Sequence, residues 1–202
     1  MREPMRRAAL IAVLLMPTGA TFAVQHTLPS KRFLVRNPGA SSAQTKRKIV
    51  FTEEEEHSAS AIVGDPTVSG ATLRVSLGDG NEQCFDLPAS AWSSLGPLGF
   101  KYHDVHGPGA AVHASIDKEV FTGDLILKWE LRGAKGPLDV VPQAGTPSFA
   151  VNFRIGNGDE YCAGGPTPAD SKDTDASYLV SDLPAPPTCG VAACSPIGAF
   201  LD

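Results

Sequence analysis

Four cysteines, three close histidines and several loop carboxylates are the residues in this sequence with the chemistry to build a site. Cys84, Cys162, Cys189 and Cys194 include no Cys-x-x-Cys pair, so no zinc spacing is present. In an oxidising compartment they make two disulfides, with three possible connectivities. Cys84 and Cys162 hold equivalent places in two similar segments, and Cys189 and Cys194 sit five apart in a Gly/Ala-containing turn. That arrangement favours Cys84–Cys162 with Cys189–Cys194; its rival ties Cys162 to Cys189.

His103, His106 and His113, with Asp104 among them, suggest a metal site. On a strand, however, His103 and Asp104 point to opposite faces. His106 precedes the Gly107-Pro108 turn, His113 falls on a polar strand face, and no known ligand spacing is matched. No metal is expected from them. Calcium needs six or more oxygens, which loops of exported β proteins supply. Asp170, Asp173 and Asp175 share one loop and are candidate calcium ligands, but a solvated acidic loop is the favoured reading and no metal is expected. Asp79 with Glu82, and Asp159 with Glu160, flank glycine turns. The EF-hand order is missing, since no Gly and closing Glu follow.

For hydrolysis, neither a Gly-x-Ser-x-Gly elbow nor a His-Glu-x-x-His pair occurs. Triads assembled from distant residues are recognised by geometry, and nothing in the sequence selects one. No catalytic residue and no cofactor is therefore expected. Trp92, Tyr102, Trp129 and Tyr161 have the rings for a sugar-stacking surface. Alternation puts Trp129 in the core. Trp92, in the irregular stretch 90–95, is the better exposed candidate for contacting a ligand, although the favoured role for it is a cap on one end of the core.

The elements that must position these residues are strands. Ala71, Leu73, Val75 and Leu77 alternate with polar residues, as do Val112, Ala114 and Ile116. The same period recurs in Leu125, Leu127, Trp129 and Leu131, and in Phe149, Val151, Phe153 and Ile155. Weaker runs lie at 31–36, 48–52, 82–87, 100–104, 159–162 and 178–181. About ten short strands with turns at close spacing predict a single all-β domain, an antiparallel β-sandwich of jelly-roll or immunoglobulin-like type. Loops are expected at 37–46, 53–64, 167–176 and 183–187. An internal repeat supports the hairpins: Val75-Ser-Leu-Gly78-Asp-Gly80-Asn-Glu82-Gln-Cys84 matches Phe153-Arg-Ile-Gly156-Asn-Gly158-Asp-Glu160-Tyr-Cys162 at an offset of 78. Each copy is a strand, a Gly-x-Gly turn and a second strand. Neither copy reaches the third glycine or the helix that a phosphate loop needs.

Composition and the first segment set the class. Hydrophobic residues at 42% and charged residues at 19% suit a packed core, and 20 Gly with 17 Pro favour turns over long helices. The formal net charge of −5 argues against nucleic acid or an anionic membrane as the main partner. Residues 1–23 read as a cleaved signal peptide: Arg2, Arg6 and Arg7, then an apolar run from Ala8 to Met16, then Thr21-Phe22-Ala23. That run is about nine residues long, too short to span a bilayer at roughly 20. The expected organisation is a signal peptide at 1–23, a β-sandwich at 24–188 and a disulfide-containing tail at 189–202. The product would be periplasmic or extracellular, with no membrane span.

Several fragments, taken in order, carry a resemblance. They are Gly70-Ala-Thr-Leu73, Cys84-Phe-Asp-Leu-Pro88-Ala-Ser-Ala-Trp92, Phe100-Lys-Tyr102-His-Asp104, Gly107-Pro108, Tyr161-Cys162 with Gly164-Gly165, and Ala185-Pro-Pro-Thr-Cys189. Over roughly 31–189 the chain resembles a group of uncharacterised exported β-rich proteins of bacteria, from myxobacteria and related deltaproteobacterial lineages. The resemblance implies a β-rich exported domain and no established reaction. Such proteins often carry a further cysteine pair, which is missing here at Gly109 and in the run from Leu125 to Arg132. The expected function is a non-catalytic binding or surface-associated structural module for an extracellular ligand or surface polymer. The alternative is an exported hydrolase acting on extracellular polymer.

Overall fold

The computed structural model describes residues 24–39, 43–58, 61–78, 80–104, 109–119, 121–190 and 194. The segment read as a signal peptide, Asp79, His106 and most of the tail after Gly190 lie outside the described residues.

Among the described residues the chain is all-β, with thirteen strands. In chain order these are β1 (Gln25–Thr27), β2 (Ser30–Arg36), β3 (Lys48–Glu55), β4 (Ala71–Leu77), β5 (Glu82–Leu87), β6 (Trp92–Ser94) and β7 (Gly99–His103). There follow β8 (Ala111–Lys118), β9 (Leu125–Arg132), β10 (Ser148–Ile155), β11 (Glu160–Pro166), β12 (Lys172–Thr174) and β13 (Ser177–Leu183). They form a five-stranded sheet, β1-β11-β10-β4-β5, and an eight-stranded sheet, β12-β13-β2-β3-β9-β8-β7-β6. The pairings are antiparallel except for β1, which runs parallel to β11.

The strong alternation of β4, β8, β9 and β10 becomes the inner faces of the two sheets. Leu73, Val75, Phe149, Val151 and Phe153 meet Phe33, Phe51, Ile116, Trp129 and Tyr178 across one continuous core. Phe33 of the large sheet stacks on Phe149 of the small one, with centroids 4.6 Å apart. Offset stacking of this kind adds to the area that the rings bury.

The two repeat copies lie side by side in the small sheet. β4 pairs with β10, and the repeat offset carries the pair Val75–Val151 onto the pair Phe153–Leu73, itself in register. A local two-fold axis therefore relates hairpin β4–β5 to hairpin β10–β11. The first tip glycine of each copy, Gly78 and Gly156, adopts positive φ (65° and 44°), where a Cβ would be strained.

Two expected loops are partly strand. β3 runs on through Glu55 because Glu53, Glu54 and Glu55 pair with Leu127, Ile126 and Leu125. Within 167–176, β12 adds an edge to β13, pairing Asp173 with Tyr178.

The disulfides are Cys84–Cys194 and Cys162–Cys189, which corrects the favoured pairing. The two-fold axis gives the reason. It sends Cys84 and Cys162 to β5 and β11, on either side of the central pair, so that the row Cys84–Arg74–Asn152–Cys162 crosses four strands. Three strand spacings are about 14 Å, whereas disulfide Cα atoms lie within roughly 7 Å. The five-residue step from Cys189 to Cys194 reaches about 17 Å when extended. It is long enough to strap the outer face of the sheet from one cysteine to the other. Thr72 Oγ1 donates to the Cys194 carbonyl, and Thr72 and Asn152 are buried although they point away from the core.

Candidate functional site

The residues singled out in the sequence have separate fates. Trp92 is 7% exposed, and its Nε1–H donates to the Leu87 carbonyl at 3.2 Å. Its ring packs against Tyr102 and Phe153. It caps one end of the core and is not a surface for sugar. This is the role the sequence favours, although β6 is a three-residue strand with no periodicity to read.

Asp170, Asp173 and Asp175 do not converge on a calcium position. Asp175 Oδ1 accepts the Ala144 N–H and Asp173 Oδ2 accepts the Gly145 N–H, both at 2.9 Å. Two carboxylates thus satisfy backbone donors of the turn before β10, while Asp170 is exposed. Among the described residues no three His, Cys, Asp or Glu side chains gather in a metal-binding group.

His103 and His113 do come together. They are register partners on β7 and β8, with Nδ1 atoms 3.2 Å apart and ring centroids 4.5 Å apart. Alternation turns Tyr102 and Ala114 into the core and both histidines outward. Their row continues through Glu130 on β9 to Val50 on β3. Burial pushes the Glu130 carboxyl upward, but Arg132 and Lys48 outweigh it and hold it below the usual carboxylate range. The neighbouring row is Lys101, Ser115, Lys128, Thr52 and Arg32.

These rows line a shallow concavity of about 350 Å³ on the outer face of the large sheet, walled by Thr52, Lys101, His113, Ser115, Lys128 and Glu130, the last of these paired with Lys48 and Arg132. Arg32, Arg36, Lys48, Lys101, Lys128 and Arg132 outnumber Glu54, Asp117 and Glu130 on this face, although the whole chain carries a formal charge of −5. A locally basic, hydroxyl-bearing concavity attracts anions and donates hydrogen bonds to them. Six outward cations on four strands become one face only through the sheet order, which the sequence alone does not reveal.

A second polar group lies at the far end of the core. Glu53 is fully buried on the inner face of β3, following Ile49 and Phe51 in phase. Its Oε2 accepts the Leu127 N–H at 3.2 Å, and Oε1 has no hydrogen-bond partner among the described residues. Burial pushes its carboxyl up to about 9. Phase is the signal that identifies Glu53 as internal: it continues the alternation of two core residues. Tyr161 is also fully buried, and burial together with Asp159 raises its phenol above the ordinary value. His26 stacks on Tyr161 at 5.0 Å and places Nε2 2.7 Å from Asp159 Oδ2.

No family model matches this chain, and neither a curated protein nor a solved structure matches it.

Proposed function

We propose that the chain is an exported, non-catalytic β-sandwich of jelly-roll or immunoglobulin-like type that binds an anionic extracellular polymer across the outer face of its large sheet. Its likeness to exported myxobacterial proteins belongs to the same reading. The observation that carries the proposal is the basic concavity flanked by Lys101 and Lys128 on an otherwise acidic chain. Export is supported by two disulfides and by the lack, among the described residues, of a helix long and apolar enough to cross a membrane. The geometry favours binding over hydrolysis of such a polymer. The two histidines face each other, and the carboxylate in their row is held by Lys48 and Arg132.

Calorimetric titration of the oxidised 24–202 protein with a polyuronate and with a neutral glucan tests this reading. The polyuronate binds and the glucan does not. Replacing Lys101→Glu and Lys128→Glu together weakens binding by about tenfold or more at low salt. Equal affinity for both polymers, or no loss in the double variant, removes this face from the function.

A further inference from the structure

The backbone nitrogen of Val24 donates to Asp159 Oδ1 at 3.0 Å. Asp159 is 2% exposed, and its other oxygen meets His26 Nε2. Val24 is also the residue that would become the first of the chain if the signal peptide is cut after Ala23. We infer that Asp159 is the receiving site for the α-ammonium group created by that cut, so that processing converts a neutral amide contact into an ion pair between an exposed terminus and a buried carboxylate. The inference rests on the export reading above.

The step is a hydrolysis, with water as co-reactant and a signal peptidase as catalyst. Water adds across the Ala23–Val24 peptide bond and the C–N bond breaks. Ala23 keeps the carboxylate, and the Val24 amine takes up a proton at neutral pH. An amide nitrogen offers one N–H and no charge; an ammonium offers three and a full positive charge. A buried carboxylate is costly unless a cation compensates it.

The geometry holds the new terminus where it is needed. The Val24 carbonyl accepts the Glu160 N–H at 3.0 Å, and the Leu28 N–H donates to the Cys162 carbonyl at 2.8 Å, fixing both ends of β1 against β11. Gln25 and His26 stand opposite Glu160 and Tyr161, and the Gln25 side chain donates to the Glu160 carboxylate. The Cys162–Cys189 bridge then ties the tail beside the same strand, with Cys189 Sγ 3.8 Å from the His26 carbonyl. Asp159 immediately precedes β11, so the ammonium would be received at the start of the strand that β1 extends.

The test has two readouts. The full-length chain is exported from a secretion-competent bacterium and the N-terminus of the released product is sequenced, with Val24 expected. The 24–202 protein with a free amine is then compared with the same protein Nα-acetylated, each with Asp159 and with Asp159→Asn. The free amine melts about 3 °C or more above the acetylated form, and Asp159→Asn abolishes that difference. A released product beginning elsewhere overturns the processing reading and the inference with it. A product beginning at Val24 whose free and acetylated forms melt together, or whose difference persists in Asp159→Asn, overturns the role of Asp159 alone. The free-versus-acetylated comparison in the unsubstituted chain needs no variant to fold.

Discussion

Cys84 and Cys162, equivalent in the internal repeat, lie in one row of the small sheet with Arg74 and Asn152 between them. Neither bonds the other. Each takes a partner from the last segment of the chain, Cys84 pairing with Cys194 and Cys162 with Cys189, so that both related hairpins are tied to the same short stretch.

The two bridges should differ in what they contribute. Cys84–Cys194 closes 110 residues and Cys162–Cys189 closes 27. Chain entropy alone assigns them about 5 and roughly 3.5 kcal/mol. Replacing Cys84 and Cys194 by Ser is expected to lower the melting temperature more than replacing Cys162 and Cys189. Peptide mapping without reductant should recover the two linkages directly; a Cys84–Cys162 peptide would contradict the strap.

Glu53 makes stability depend on pH with a definite sign. Its folded pKa of about 9 lies above the ordinary 4.5 because burial disfavours the anion. Between those values the unfolded chain has released the proton and the folded one has not. Stability therefore falls as pH rises through this window, by roughly 1 kcal/mol per unit, and levels off above the folded value. Glu53→Gln should flatten that slope in urea titrations between pH 5 and 9. An unchanged slope would mean the carboxyl is already ionised in the fold.

Trp92 is expected to matter to stability and not to ligand. Trp92→Ala empties a site against Tyr102 and Phe153, at a cost of about 3–5 kcal/mol. Polymer affinity, measured well below the lowered melting temperature, should stay at the level of the unsubstituted protein.

Asp173 and Asp175 should behave as turn anchors. Asp175→Ala removes the acceptor of the Ala144 N–H and should cost about 1–2 kcal/mol. Melting curves recorded with EDTA and with millimolar Ca²⁺ should superimpose, whereas a calcium site would separate them by several degrees.

Legibility in the sequence followed the strength of local alternation. β4, β8, β9 and β10 each carry several inward apolar residues in phase, and those phases match the buried positions. β1 and β12 have three residues each, too few to show any period, and are strands only because β11 and β13 offer an edge. Glu53 escaped because a run of four glutamates looks like a solvated loop, whereas pairing with Leu127 carries the first of them inward. The His103–His113 contact and the basic face depend on which strands become neighbours. The repeat was visible, but its two-fold arrangement was not. That arrangement moves equivalent cysteines apart instead of together.

The order of the cysteines along the chain bears on how the protein assembles. Cys162–Cys189 lies wholly within the loop closed by Cys84–Cys194, so the linkages are nested and neither ring has to be threaded through the other. A chain that emerges N-terminus first delivers Cys84 and Cys162 before either true partner. By then both hairpins are complete in sequence, and their pairing through β4 and β10 holds the two early thiols out of each other's reach. Once that sheet is formed, each of the two thiols is left for a partner from the last segment of the chain.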